Sequence, residues 1–268
     1  MGRRRSFAAM SLPAWAPIPG APILRLDPDG SRPVLFVSDL HLGLGGSERL
    51  GRGPPEASAR TMSEALVAAA RTARAGRVVV AGDVKHPIVG TPRPLQPVVF
   101  DFFATLLSAD LEVDVVLGNH DVGLVRHLPS EVTVHPASGA IVEGVGVFHG
   151  HRWPSDEVLR CARIVAGHLH PGYRLAPSSD EARGKERCWV RVSFPPPGPR
   201  PSRPRRHAEI EASEMVVLPA FNPIAGTEAL NRRRPGPGRS FLFARFLRKG
   251  KTRAYLLDGT DLGAVPTV

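Results

Sequence analysis

The stretch VLFVSDLHLG, residues 34–43, drives four apolar residues straight into Ser38-Asp39-Leu40-His41. A short, continuous apolar run suits a strand buried on both faces. The pattern recurs at 78–80, 113–117, 145–148 and 164–166, and each run ends on side chains able to ligate a cation. These later runs lead into Gly82-Asp83-Val84-Lys85-His86, Gly118-Asn119-His120-Asp121, His149-Gly150-His151 and Gly167-His168-Leu169-His170. Any one of these segments alone is ordinary loop polarity; a Gly-Asp after a strand, for example, is a common turn. Five at successive strand ends, holding seven of the chain's ten histidines, are not. In open α/β sheets ligands bind beyond the carboxyl ends of the strands. The recurrence therefore points to one pocket there. Oxygen and imidazole donors without cysteine suit a divalent metal such as manganese, iron, zinc or nickel.

The segments between the runs supply helices. In ASARTMSEALVAAARTARA, Met62, Ala65, Leu66, Ala69 and Ala73 fall at helical spacing, so one face can pack on a sheet. A second helix is expected over 98–107, and a third after Ser155, an N-cap followed by Asp156 and Glu157 in the favoured first turn. Strands alternating with helices argue for an α/β layered fold. Residues 1–30, rich in proline and glycine, read as an irregular, flexible leader rather than a signal peptide. Residues 31–268 read as a single domain interrupted at about 194–208 by FPPPGPRPSRPRR, a solvated, disordered insertion. Further strands are expected at 215–218, 241–246 and 254–257, with the last two forming a hairpin that turns at Lys249-Gly250-Lys251.

Of the chain's 268 residues, 42% are hydrophobic, enough for a sizeable core, and no apolar run approaches the roughly 18 residues of a membrane span. Cys161 and Cys188 make neither a disulfide framework nor a zinc-finger spacing, which fits a reducing, cytoplasmic setting. The net charge of +10 favours polyanions, although the skew to 31 Arg over 4 Lys also fits a GC-rich genome. His127 and His135 belong to no motif and read as surface residues, and the Arg232–Arg234 run reads as a solvated basic loop.

The ordered set Asp-x-His, Gly-Asp, Gly-Asn-His-Asp, His and Gly-His-x-His resembles the calcineurin-like metallophosphoesterases across residues 34–171. GDVKH, HGH, GHLHP, the tryptophan of RCWVRV and LPAFNPIAGTEALN extend the resemblance to about residue 231, towards archaeal-type phosphoesterases related to SbcD-type DNA-repair nucleases. The resemblance implies a four-layer α/β/β/α sandwich with its metal site at the carboxyl ends of the strands. It implies two divalent ions, manganese foremost. Asp39, His41 and His170 would hold one, Asn119, His149 and His168 the other, and Asp83 would bridge them. His120 would be the catalytic imidazole near the leaving group and Asp121 would orient it. Lys85, His86 and His151 would sit behind the ligands or at the substrate. Homodimers are common among such relatives.

Only two of those seven ligands are carboxylates, so two divalent ions leave the pocket net positive, as an anionic phosphate ester requires. The expected activity is phosphodiester or phosphomonoester hydrolysis by a hydroxide held between the metals, with DNA as the favoured substrate over small phosphate esters or cyclic nucleotides. Two readings from other classes compete: a non-catalytic scaffold on the same fold, and a basic nucleic-acid-binding protein whose histidines are incidental.

Overall fold

The structure is a computed structural model that describes residues 14–45, 55–175, 185–196, 209–231 and 241–266. The core β-runs form strands where the apolar pattern places them: β3 (Val34–Val37), β4 (Arg77–Val80), β5 (Glu112–Val116), β8 (Val145–Phe148) and β9 (Arg163–Ala166). The first sheet has the order β1-β2-β3-β4-β5-β6, with β1 at Ala14–Pro17, β2 at Leu24–Asp27 and β6 at Thr133–His135; strands β3 to β6 run parallel. The second follows β13-β10-β11-β12-β9-β8-β7, completed by β7 (Ala140–Val142), β10 (Pro171–Arg174), β11 (Lys185–Ser193), β12 (Glu214–Val217) and β13 (Glu228–Ala229). On its far side β11 also pairs with β14 (Lys251–Leu256), which pairs with β15 (Asp261–Ala264).

Side-chain alternation turns these two sheets into four layers. Leu35 and Val37 of β3 face α1 (Pro55–Ala73) and α2 (Leu95–Leu107), while Val34 and Phe36 face the second sheet. The inter-sheet core joins Val34, Phe36 and Val79 to Val145, Val147, Val165 and Trp189. On the outer face of the second sheet, Ile164, Met215 and Val217 pack with α3 (Asp156–Arg160) and α4 (Phe241–Arg245) through Val158 and Leu242, and with Phe246 just after α4. The result is a metallophosphatase-like α/β sandwich: helices, two mixed sheets, helices. Among the described residues no helix is long and apolar enough to cross a membrane.

The helices start and pack for identifiable reasons. Ser155 caps α3, its Oγ accepting from Val158 N at 3.4 Å. In α1 the buried face runs through Ala59, Met62, Leu66, Ala70 and Ala73, with Ser63 and Val67 beside it, and Ala65 is exposed. The larger side chains set that face, because alanines suit either side of a helix. Pro97 lies in the first turn of α2, where a missing N–H costs nothing, so the helix starts before the expected residue 98.

Two expectations fail. Residues 14–27 are not irregular, since β1 and β2 extend the first sheet antiparallel to β3. Leu24 and Leu26 alternate into the core, and Pro17 closes β1 at the sheet edge, where proline is tolerated. Residues 241–246 are not a strand. Leu242 and Phe246 stand four apart and pack on the sheet as helical neighbours, with Ala244 and Arg245 exposed. A 3₁₀ turn at Leu247–Lys249 then leads into β14, so Lys249-Gly250-Lys251 is not a hairpin turn. The hairpin closes instead at Asp258-Gly259-Thr260, where Gly259 adopts φ +93°, in keeping with the Asp-Gly hairpin signal. Residues 1–13, the bulk of the Pro/Arg-rich insertion (197–208) and Arg232–Arg234 lie outside the described residues.

Phe36 is fully buried between the sheets, so Phe36→Ala is expected to cost about 3–5 kcal/mol of stability without altering secondary structure. Denaturant unfolding followed by circular dichroism measures this.

Candidate metal centre

Each of the five strands named first above stops one to three residues short of a candidate ligand, and the connecting loops are cross-linked by their own backbone. Asp39 N donates to Gly82 O at 3.0 Å, His41 N to Asp83 O at 2.9 Å and Leu42 N to Val84 O at 2.8 Å, so the loops after β3 and β4 continue side by side. Gly167 N donates to His149 O at 2.9 Å, joining the loops after β8 and β9. His168 N reaches both Asp39 oxygens, at 3.2 and 3.1 Å, and thereby ties the two sheets together at the site.

This convergence forces unusual backbone. Asp39, His41, Asp83, His168 and His170 all have positive φ, between 41° and 69°. Left-handed backbone costs a non-glycine residue roughly 1–2 kcal/mol, and such residues persist only where their surroundings over-determine them. Two glycines are required by close approach. A Cβ on Gly118 would fall 2.2 Å from Asp83 Oδ1, and one on Gly82 (φ +90°) would fall 2.4 Å from His149 Nδ1.

The side chains meet around Asp83 Oδ2. His149 Nε2 lies 3.1 Å away, His41 Nε2 3.8 Å and His120 Nε2 3.9 Å. Asp39 Oδ1 lies 3.1 Å from His170 Nε2, which is 3.1 Å from His41 Nε2. Asp39, His41 and His170 thus form one group with converging donor atoms, and Asp83, His149 and His168 form a second. A third, His41, His86 and His120, borders the first. Asn119 sits between Gly118 and His120, both of which touch Asp83. These groups could hold metal ions. Eight buried polar side-chain atoms among the described residues make no well-formed hydrogen bond, and four are here: His41 Nδ1, Asn119 Oδ1, His151 Nδ1, and His149 Nε2, which has only its ion-pair contact with Asp83. Buried polar groups are normally satisfied, and cation-binding donors fit that deficit.

Main-chain carbonyls orient the rings. His149 Nδ1 donates to Ala81 O at 2.8 Å, His170 Nδ1 to Gly226 O at 2.9 Å and His120 Nδ1 to His86 O at 2.5 Å, which leaves each Nε2 turned to the centre. The part expected of Asp121, orienting His120, is not played through the His120 ring. Asp121 instead accepts from Gly118 N at 2.8 Å, Val84 N at 2.9 Å and Lys85 N at 3.4 Å, bracing the two loop backbones. Of the two places expected for Lys85, it takes the one behind the ligand loops and not the one at the substrate. It is fully buried, and its Nζ donates to Pro87 O at 2.5 Å, to His120 O and to Ile88 O at 3.4 Å. His86 is exposed beside His120, and His151 lies against His149 and His168. His135 is no free surface residue: its Nε2 lies 2.6 Å from the buried Asp114, which also binds Arg77.

Several supports escaped sequence reasoning. Ser38 Oγ donates to Asp39 Oδ2 at 2.6 Å. Asn222, buried, donates to Leu40 O at 2.8 Å and so clamps the Asp39–His41 turn from the second sheet. The LPAFNPIAG run was the only signal for Asn222, and nothing in the sequence pairs it with residue 40.

Burial pushes His41, His168 and His151 down to about 4, so all three are neutral at pH 7. Burial also opposes charge on His149, but the Asp83 carboxylate overrides it and raises His149 to about 9. His170 is raised likewise, burial being outweighed by Asp39. Both carboxylates are held below the usual range by these imidazoles despite burial.

Class and likeness now stand together: a metallophosphatase-like sandwich with clustered Asp and His at its strand ends. No family model and no curated protein matches the chain. Among solved structures, that of the nuclease MPE from Pseudomonas putida matches with a TM-score of 0.52 at 16% identity, over 93% of this chain and 100% of that one. At that identity the likeness is one of fold.

Two measurements follow from this geometry. At pH 7 the metal-free protein carries a proton on His149 that a cation must displace, so manganese uptake is expected to release protons, detectable by calorimetry in buffers of different ionisation enthalpy. The sign is fixed by the raised pKa: the His149 contribution to metal-free stability is full below about 6.5 and lost as pH rises through about 9. Lys85→Met takes the shared donor from three part-buried main-chain carbonyls and is expected to cost about 1–3 kcal/mol for each that water does not reach, measured by thermal unfolding.

Proposed function

We propose that the chain is a two-metal phosphoesterase of the calcineurin-like, SbcD-related kind, hydrolysing phosphodiester bonds in nucleic acid. The observation that carries this is the pair of Asp/His groups meeting at Asp83 Oδ2. Asp39, His41 and His170 would hold one cation and Asn119, His149 and His168 the other, with Asp83 between them; manganese is the favoured metal. Bound cations neutralise phosphate charge and acidify a water, which is what makes hydrolysis of an anionic ester feasible near neutral pH.

The chain's own residues do the rest. His120 keeps its Nδ1 on the His86 carbonyl, so only Nε2 is available to hold or deliver a proton to a leaving oxygen. Its backbone N–H donates to Asp83 Oδ1 at 2.9 Å, fixing that carboxylate's rotation. Lys85 and Asp121 hold the loops that present His120. The exposed His86 stands where a substrate flanking the scissile bond would pass. The net charge of +10 favours a polyanion, and the P. putida protein of similar fold is described as a nuclease.

The test is hydrolysis of single-stranded, nicked and hairpin DNA, and of an aryl phosphodiester, in manganese, iron, zinc and nickel. Asp83→Asn serves as the blank. His120→Ala is expected to lose about 10²–10⁴-fold in kcat while retaining metal. Cleavage of the aryl ester but never of DNA removes the nuclease reading. Little bound metal and no loss in His120→Ala leaves a scaffold.

A further inference from the structure

Two of the three groups at the strand ends contain a carboxylate, Asp39 in one and Asp83 in the other. The third does not. His41, His86 and His120 offer three imidazole nitrogens that lie within 4.8 Å of one another. Their ring centres stand 4.8 Å apart for His41 and His120, 5.5 Å for His41 and His86, and 5.8 Å for His86 and His120. His41 is buried, His120 half-buried and His86 exposed, so the group opens to solvent at the His86 side.

The main chain fixes where the three rings start. His41 N donates to Asp83 O, His86 N to Leu42 O and His120 N to Asp83 Oδ1, each at 2.9 Å. His120 Nδ1 is spent on the His86 carbonyl, which leaves Nε2 to meet a cation. At the usual Zn–N length, nitrogens around a tetrahedral zinc lie about 3.4 Å apart. Closing the widest pair therefore takes at most about 1.4 Å, and the exposed His86 ring is the one with room to move.

Donor chemistry separates this group from its neighbours. Carboxylate oxygen suits manganese, imidazole suits zinc, and zinc stands above manganese in the general order of affinity. A neutral imidazole has one lone pair, so His41 serves one cation at a time. An ion on His41, His86 and His120 therefore takes a ligand away from Asp39 and His170. It also occupies the nitrogen through which His120 would handle a proton.

We propose that these three histidines form a zinc site that shuts the enzyme off: manganese fills the carboxylate-bearing groups, and zinc draws His41 and His120 towards His86. The site stands on its donors alone, whereas the shut-off rests on the phosphoesterase reading.

Zinc and, separately, manganese are titrated against a chelating indicator into EDTA-treated, full-length protein. His86→Gln removes a ring that belongs to neither carboxylate-bearing group and keeps its main-chain contacts. It is expected to weaken zinc at least about tenfold and manganese by no more than about twofold. In manganese-loaded protein, zinc is expected to inhibit hydrolysis of an aryl phosphodiester, and excess manganese to reverse this. Relative to each protein's own zinc-free rate, the half-inhibiting zinc concentration should rise at least about tenfold in His86→Gln. Unchanged zinc affinity in the variant, or equal losses for both metals, overturns the site even if the parent hydrolyses esters in manganese. Zinc held through His86 without inhibition overturns the shut-off. Zinc held through His86 by a protein that hydrolyses nothing in manganese leaves the site standing and removes the phosphoesterase reading, the shut-off with it.

Discussion

Two carboxylates almost sealed from water, Asp39 and Asp83, set the terms for their surroundings. A buried carboxylate is tolerated only when its lone pairs are matched. Asp39 is met by Ser38, by the His168 amide and by His170; Asp83 is met by the His120 amide and by His149. Those partners come from different strand ends and from both sheets. Satisfying the two acids therefore requires the whole strand-end arrangement to be in register, which makes the electrostatics of the centre and the packing of the sandwich one problem.

The packing is equal to the task because the sheets are covered on both sides. Helices lie over the outer faces and the inter-sheet core fills the middle, so the strands act as fixed posts. Rigid posts hold five strand-end residues in left-handed backbone, a cost that flexible loops would relax. Even the loop that carries His120 is stiffened, by the Lys85 ammonium from inside and by Asp121 from beneath.

Much of this was legible in the sequence because two strong signals coincided. Apolar runs such as 34–37 and 145–148 can hardly be anything but buried strands, and the Asp, Asn and His residues cluster immediately after them. What was not legible depended on contacts remote in sequence or on ambiguous periodicity. The run at 241–246 fits a strand or a helix equally by hydrophobicity, and only the placement of Leu242 and Phe246 against the second sheet decides it. Residues 14–27 were masked by prolines, although the Leu24/Leu26 alternation was present. Asn222 reaches a carbonyl 182 positions away, and the Lys85 cage and the His135–Asp114 pair consist of tertiary contacts that no local pattern encodes.

The atoms that steer His149, His170 and His120 belong to the peptide chain, not to side chains. A carbonyl survives replacement of its residue. At position 226, where an added Cβ would meet nothing within 4 Å, and at the exposed position 86, lineages can exchange one amino acid for another while the imidazole keeps its bearing. The aim of the centre is thus inherited with the path of the backbone, and it can outlast considerable drift in the letters that spell that path.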